Sequence, residues 1–141
     1  MNAPHDKPII LVADDDEDFL TQLRMQLEAA GYLPQTAQTL DDARRIFDSQ
    51  TIDLAIIDLM MEQQDGGFTL CYFLRKHDPH VPIILVSAVA SETGLRFDAA
   101  TDEERSWVKA DVFLAKPIRF EQLHAEIQRL TGPYSRRVTW S

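Results

Sequence analysis

Asp53-Leu54-Ala55-Ile56-Ile57-Asp58-Leu59-Met60-Met61 is an apolar run that ends in a carboxylate and then turns apolar again. A second run, Ile9-Ile10-Leu11-Val12-Ala13, ends in Asp14-Asp15-Asp16. A third, Val81-Pro82-Ile83-Ile84-Leu85-Val86, ends at Ser87, and a fourth, a short strand read over residues 111–115, ends at Lys116-Pro117. Continuous apolar, β-branched runs of this length read as strands buried on both faces. In a parallel α/β sheet their four ends meet along one edge. Two acidic sites, a hydroxyl and an amine gathered there have the makeup of a cation-assisted site that accepts a phosphoryl group.

Between these runs the apolar residues recur at helical spacing. Residues 16–30 place Phe19, Leu23 and Leu27 at i, i+4 and i+8, with Leu20 beside them. Asp16 reads as the N-cap and Gly31 as the C-cap. Residues 32–37 read as a short strand. Thr39 is the expected N-cap of a helix reaching residue 48, with Leu40, Ala43 and Phe47 on its buried face. Residues 53–57 are the central strand. Asp65-Gly66-Gly67 reads as a turn, followed by a helix over 68–76 with Leu70, Phe73 and Leu74 inward. Residues 88–100 fit neither period, and 102–110 read as a helix. The last helix is expected over 119–130, with Phe120, Leu123, Ile127 and Leu130 on one face and Gly132-Pro133 as its stop. Residues 1–7 are expected to be a flexible N-terminal tail and 132–141 a C-terminal tail, around one domain over 8–131. The β-α unit repeats five times. That implies a parallel sheet with helices on both faces and a ligand site outside the carboxyl ends of the strands.

At 141 residues the chain has room for one domain and none for a separate DNA-binding or catalytic unit. With 14 Lys and Arg against 23 Asp and Glu, the net charge is −9, which sets the chain against a phosphate backbone and excludes nucleic acid as a partner. The single cysteine, Cys71, excludes an internal disulfide and fits a reducing compartment. No apolar run reaches membrane-spanning length and the N-terminus lacks a signal-peptide pattern, so a cytoplasmic location without membrane contact is expected. His5, His77, His80 and His124 show no ligand spacing and read as surface residues.

A carboxylate accepts a phosphoryl group only when the repulsion between two anions is offset. A hard divalent cation does this by bridging carboxylate and phosphoryl oxygens, and magnesium suits a site of one or two carboxylates plus phosphate oxygen. Asp14, Asp15 and Asp58 are the candidate donors. Without the cation, clustered carboxylates raise one another's proton affinity. Lys116 offsets phosphoryl charge, and the Ser87 hydroxyl donates to a phosphoryl oxygen. A new group bearing about −1.5 to −2 charges and three acceptors draws the segment carrying Ser87 toward it.

Taken together, these residues resemble the receiver domain of bacterial two-component response regulators, of the stand-alone, chemotaxis-regulator-like kind. The resemblance runs from about residue 9 to residue 130. It rests on Asp14-Asp15, on Asp53-Leu54 with Asp58-Leu59-Met60-Met61, on Asp65-Gly66, on Pro82-Ile83-Ile84 with Ser87-Ala88, and on Phe113-Leu114 with Lys116-Pro117. It implies a flavodoxin-like, doubly wound α/β fold whose five parallel strands lie in the order 2-1-3-4-5. It implies Asp58 as the phosphoacceptor and Mg2+ as the cofactor, held directly by Asp15 and Asp58, through water by Asp14, and by the Met60 backbone carbonyl. Ser87 and Lys116 would hold the phosphoryl group, Ser87 and Phe113 would form the switch, and Asp65 and Gly66 would be structural. The bond before Pro117 is often cis in this family. The implied partners are a sensor histidine kinase or histidine phosphotransfer protein, read by residues 18–24, and a downstream protein that the residues do not name. The implied chemistry is the domain's own phosphorylation and dephosphorylation, with no other enzymatic activity.

The chain departs from that pattern in three places. Glu62 stands where the family usually has proline. Gly66-Gly67 bears on where the third helix starts. Ser87 and Lys116 are 116 − 87 = 29 positions apart, several more than is usual, with the excess around 91–101. Met60 and Val89 stand at positions that tune the lifetime of the phosphoryl group, and neither can orient a water. Two other readings compete. One is a degenerate receiver that binds a partner without phosphorylation. The other is a haloacid-dehalogenase-like phosphatase built on Asp14 and Asp16, which leaves Asp58 without a role and lacks the late acidic pair.

Overall fold

The structure, a computed structural model, describes residues 7–61, 66–87 and 110–132. Its strands are Ile9–Ala13 (β1), Leu33–Ala37 (β2), Leu54–Asp58 (β3), Ile83–Ser87 (β4) and Val112–Ala115 (β5). All neighbouring strands are parallel, in the order β2-β1-β3-β4-β5. This is the expected doubly wound, flavodoxin-like arrangement. The described helices are Glu17–Ala29 (α1), Leu40–Ser49 (α2), Gly66–His77 (α3) and Phe120–Thr131 (α4).

The central strands have no polar face because both faces are covered. Leu11, Ala13, Ala55, Ile57, Ile83 and Leu85 point to one side, where Leu40 and Ala43 of α2 and Leu70, Cys71 and Leu74 of α3 meet them. Ile10, Val12, Leu54, Ile56, Ile84 and Val86 point to the other, against Leu20, Leu23 and Leu27 of α1 and Leu123 and Ile127 of α4. Each fully buried aliphatic side chain contributes about 1.5–3 kcal/mol, so the two cores hold the sheet edge rigid where the polar residues emerge. Because all neighbouring strands are parallel, the apolar stretches of β1, β3, β4 and β5 end at the same edge.

The opposite edge satisfies its backbone with carboxylates. Asp53 Oδ2 accepts from the Ile9 N–H at 2.8 Å. Asp111 Oδ2 accepts from the Ile83 N–H at 2.8 Å and from the Arg75 guanidinium at 3.3 Å. Arg75 also donates to the Pro79 and Val81 carbonyls. β3 differs from expectation by one residue at each end, running from Leu54 to Asp58, with Asp53 just before it bonded to Ile9 through both its backbone N–H and its carboxylate. The other strands likewise differ at their ends by a residue or two.

The helix ends are built as the cap residues suggest, with corrections. Asp16 Oδ1 accepts from the N–H groups of Asp18 and Phe19 at 3.0 and 3.2 Å, and Thr39 Oγ1 accepts from Asp42 N–H at 3.1 Å. The C-cap of α1 is Ala30 rather than Gly31, which follows at φ +96°. The last helix starts one residue later than expected and buries Thr131, while Leu130 is only half-buried. The expected turn at Gly66-Gly67 is the first turn of α3. Asp65, Glu62-Gln63-Gln64 and the segment 88–109, with its expected helix, lie outside the described residues.

The two glycines bring α3 against the loop that follows β3. The Gly67 N–H donates to the Leu59 carbonyl at 2.8 Å. A Cβ on Gly67 would stand 2.4 Å from the Asp58 carbonyl oxygen and 2.5 Å from Leu59 Cα, and one on Gly66 would stand 1.9 Å from the Met61 carbonyl oxygen. Those neighbours are backbone and cannot rotate away. In an open helix Gly→Ala stabilises by about 1 kcal/mol. Here Gly67→Ala is expected to destabilise by about 1–3 kcal/mol, as overpacking does, and urea denaturation of the variant beside the wild type checks the sign.

Candidate functional site

β1, β3, β4 and β5 each deliver a polar residue to the carboxyl edge of the sheet. Asp14 follows β1, Asp58 ends β3, Ser87 ends β4 and Lys116 follows β5. The register aligns them: Asp58 pairs with Val86, and Ser87 pairs with Ala115. Backbone bonds continue past the strands, with Leu59 N–H donating to the Val86 carbonyl and Lys116 N–H to the Ser87 carbonyl, at 2.8 and 2.9 Å. Asp14 N–H donates to the Ala37 carbonyl at 3.0 Å, which fixes the turn into α1.

One carboxylate oxygen each from Asp14, Asp15 and Asp58 lies within 4.8 Å of the others. Asp14 is 1% exposed and Asp58 8% exposed, whereas Asp15 is exposed. Lys116 Nζ donates to Asp14 Oδ2 at 2.9 Å. The other Asp14 oxygen accepts from Asp16 N–H at 2.8 Å. Asp58 Oδ1 accepts from Met60 N–H at 3.4 Å, a long bond. The peptide bond between Lys116 and Pro117 is cis.

Burial dominates the electrostatics. It raises the Asp14 carboxyl above its ordinary value, against the lowering effect of the Lys116 hydrogen bond. Asp58 is pushed up to about 6, first by burial and next by the negative charge of Asp14. Lys116 and the Met60 N–H pull it down by less. Among the described residues these two buried carboxylates face one lysine, paired to Asp14, which leaves a deficit of positive charge. Three oxygen donors of this kind fit a hard divalent cation such as Mg2+.

Residues 10–128 match the response regulator receiver domain. The chain belongs to that family. It is 30% identical over 126 residues to the heme response regulator HssR of Staphylococcus aureus (strain bovine RF122 / ET3-1), a match covering 89% of this chain and 52% of that protein. The chain thus spans about half the length of the curated relatives it matches. Among solved structures it is similar to the receiver domain of the Francisella response regulator 1452, with a TM-score of 0.77, 26% identity, and coverage of 92% of this chain and 100% of that one. It is also similar to the response regulator TrrA of Thermotoga maritima in complex with Mg2+ and BeF, with a TM-score of 0.72, 28% identity, and coverage of 87% and 98%. Phosphorylation and Mg2+ binding at an acidic pocket are general to receiver domains. Among the described residues of this one, no helix is long and apolar enough to cross a membrane.

The structure brings Asp14, Asp15, Asp58 and Lys116 of the expected set together, with Ser87 buried beside them on β4. Met60 is 38% exposed in the loop after Asp58. Phe113 is half-buried on β5, packed against the core on the α2–α3 side. Gly66 is in α3, not a turn, while Asp65 and Val89 fall outside the described residues.

His124 corrects an expectation. It is half-buried rather than a surface residue, hydrogen-bonded to the Tyr32 hydroxyl at 3.0 Å and stacked on Phe120. Phe19 was legible only as part of an apolar stripe. Its ring also lies under the Lys116 ammonium, 4.3 Å from Nζ to centroid.

The raised Asp58 value carries a stability prediction for the metal-free domain. Asp58 binds its proton more tightly folded than unfolded. Its contribution is therefore fully present below pH 3.8 and is lost as pH rises toward about 6. Above that range Asp58→Asn is expected to be more stable than the wild type by on the order of 1–3 kcal/mol. Denaturant melts in chelator at pH 4 and pH 7.5 check this, with the difference shrinking at the lower pH.

Proposed function

We propose that this receiver domain takes a phosphoryl group onto Asp58 from a phosphohistidine of a sensor kinase or histidine phosphotransfer protein. The observation that carries the reading is the buried Asp58 carboxylate within 4.8 Å of two more carboxylates, beside a lysine already paired to one of them. An Asp58 oxygen attacks phosphorus, the P–N bond breaks with its electron pair leaving on the imidazole, and an acyl phosphate forms. Asp15, Asp58 and the Met60 carbonyl, with Asp14 through water, would hold Mg2+, which when bound would supply the positive charge that offsets the repulsion between carboxylate and phosphoryl group.

Lys116 turns part of its charge from Asp14 to the phosphoryl oxygens, and the Ser87 hydroxyl donates to one of them. Ser87 then draws its segment in, with Phe113 following, and that movement alters the surface a downstream protein reads. Residues 8–131 are the receiver unit, with 1–7 and 132–141 as tails, working in the cytoplasm. The chemistry is confined to the domain's own phosphorylation and dephosphorylation. Met60 has no group to orient a water, so the acyl phosphate is expected to be long-lived. A phosphatase built on Asp14 and Asp16 is disfavoured because Asp16 Oδ1 caps α1 instead.

Incubation with Mg2+ and acetyl phosphate, followed by intact-mass measurement, tests this reading. One phosphoryl group is expected on the wild type and none on Asp58→Asn or in chelator. A gain that survives in Asp58→Asn would contradict it, and no gain on the wild type would point to a domain that binds its partner without phosphorylation.

A further inference from the structure

Lys116 carries a long, flexible stem, and its usefulness in the site depends on where the ammonium waits. Two contacts hold the tip. Asp14 Oδ2 accepts from Nζ at 2.9 Å, and the face of the Phe19 ring lies 4.3 Å from Nζ. Lys116 is 20% exposed, so both contacts form with much of the solvent removed. A partly desolvated ammonium over an aromatic face is attracted by the ring quadrupole.

The placement of Phe19 is itself engineered by the acidic cluster. Asp14 Oδ1 accepts from Asp16 N–H, and Asp16 Oδ1 accepts from the N–H groups of Asp18 and Phe19. The same carboxylate that grips Lys116 thus anchors the cap that sets the first turn of α1. Phe19 is half-buried and packs against the core between α1 and α4, so its ring is supported from behind.

We propose that Phe19 is a positioning residue for phosphoryl transfer, acting through Lys116. The inference rests on the reading of Asp58 as the phosphoacceptor. The ring and Asp14 together confine the ammonium, so that its rotamer freedom is already spent when a phosphoryl group arrives. An aliphatic side chain of similar size fills the space and offers no attraction to the cation.

The test is a double-mutant cycle with rescue. The initial rate of phosphorylation by acetyl phosphate in Mg2+ is measured by intact mass for wild type, Phe19→Leu, Phe19→Tyr, Lys116→Met and Phe19→Leu/Lys116→Met. Thermal melts confirm that each variant is folded. Phe19→Leu is expected to slow phosphorylation on the order of 3- to 10-fold. Phe19→Tyr is expected to restore most of the rate, and Phe19→Leu is expected to have no effect once Lys116 is Met. An equal slowing in both lysine backgrounds, or no slowing by Phe19→Leu, would overturn the role. A second readout is independent of the chemistry. The Lys116 ε-methylene protons are expected to resonate upfield in the wild type, from the ring current, and to lose that shift in Phe19→Leu. A lost shift without a changed rate sinks this inference alone, whereas a wild type that takes no phosphoryl group sinks the receiver reading and this inference with it.

Discussion

Asp14 and Asp58 are buried at the same end of one sheet, and the ammonium of Lys116 pairs with Asp14. Burying a carboxylate costs free energy unless it is paired or hydrogen-bonded. Asp14 is satisfied on both oxygens, by Lys116 and by the Asp16 N–H. Asp58 has only a 3.4 Å bond from the Met60 N–H; burial first, and the Asp14 charge next, push its carboxyl up to about 6. In the proposed function this imbalance is what the site uses. A site short of positive charge has affinity for a divalent cation, and a carboxylate that is not locked by strong partners keeps an oxygen available for attack.

The remainder of the fold exists to hold that imbalance still. Two cores, one on each face of the sheet, bury strands that would otherwise splay at their ends. Asp53 and Asp111 at the far edge accept N–H groups of strands β1 and β4, whereas Asp14 and Asp58 at the near edge accept backbone N–H groups from the turns that follow their own strands. Gly66 and Gly67 let α3 approach the backbone of residues 58–61 closely, so the loop beyond Asp58 is buttressed from below.

Strand existence, strand end and site residue coincided in the sequence, which made most of this legible. An apolar run with no polar period can only be a strand covered on both faces, and the residue that breaks it marks the edge. The boundaries of β3 were each off by one residue, because the polar residues Asp53 and Asp58 flank the apolar run and polarity alone does not say which of them joins the strand. The start of α3 was misread because glycine pairs usually mark turns, and only the approach to Met61 and Asp58 explains two glycines in a helix. His124 and Phe19 were read by helical spacing, which reports the face a residue occupies. It does not report that the tip of one meets Tyr32 or that the ring of the other meets Lys116, since both contacts join residues far apart in the chain.

The central claim is that the three carboxylates at the sheet edge form a cation site completed by Asp58. Titration of the 15N-labelled domain with Mg2+ at pH 7.5, followed by backbone amide shifts, tests it most directly. The account predicts saturable binding of one ion, with the largest shifts at residues 14–16, 58–61, 87 and 116, abolished in Asp58→Asn. Shifts centred elsewhere, or an unchanged response in the Asp58→Asn variant, would contradict it.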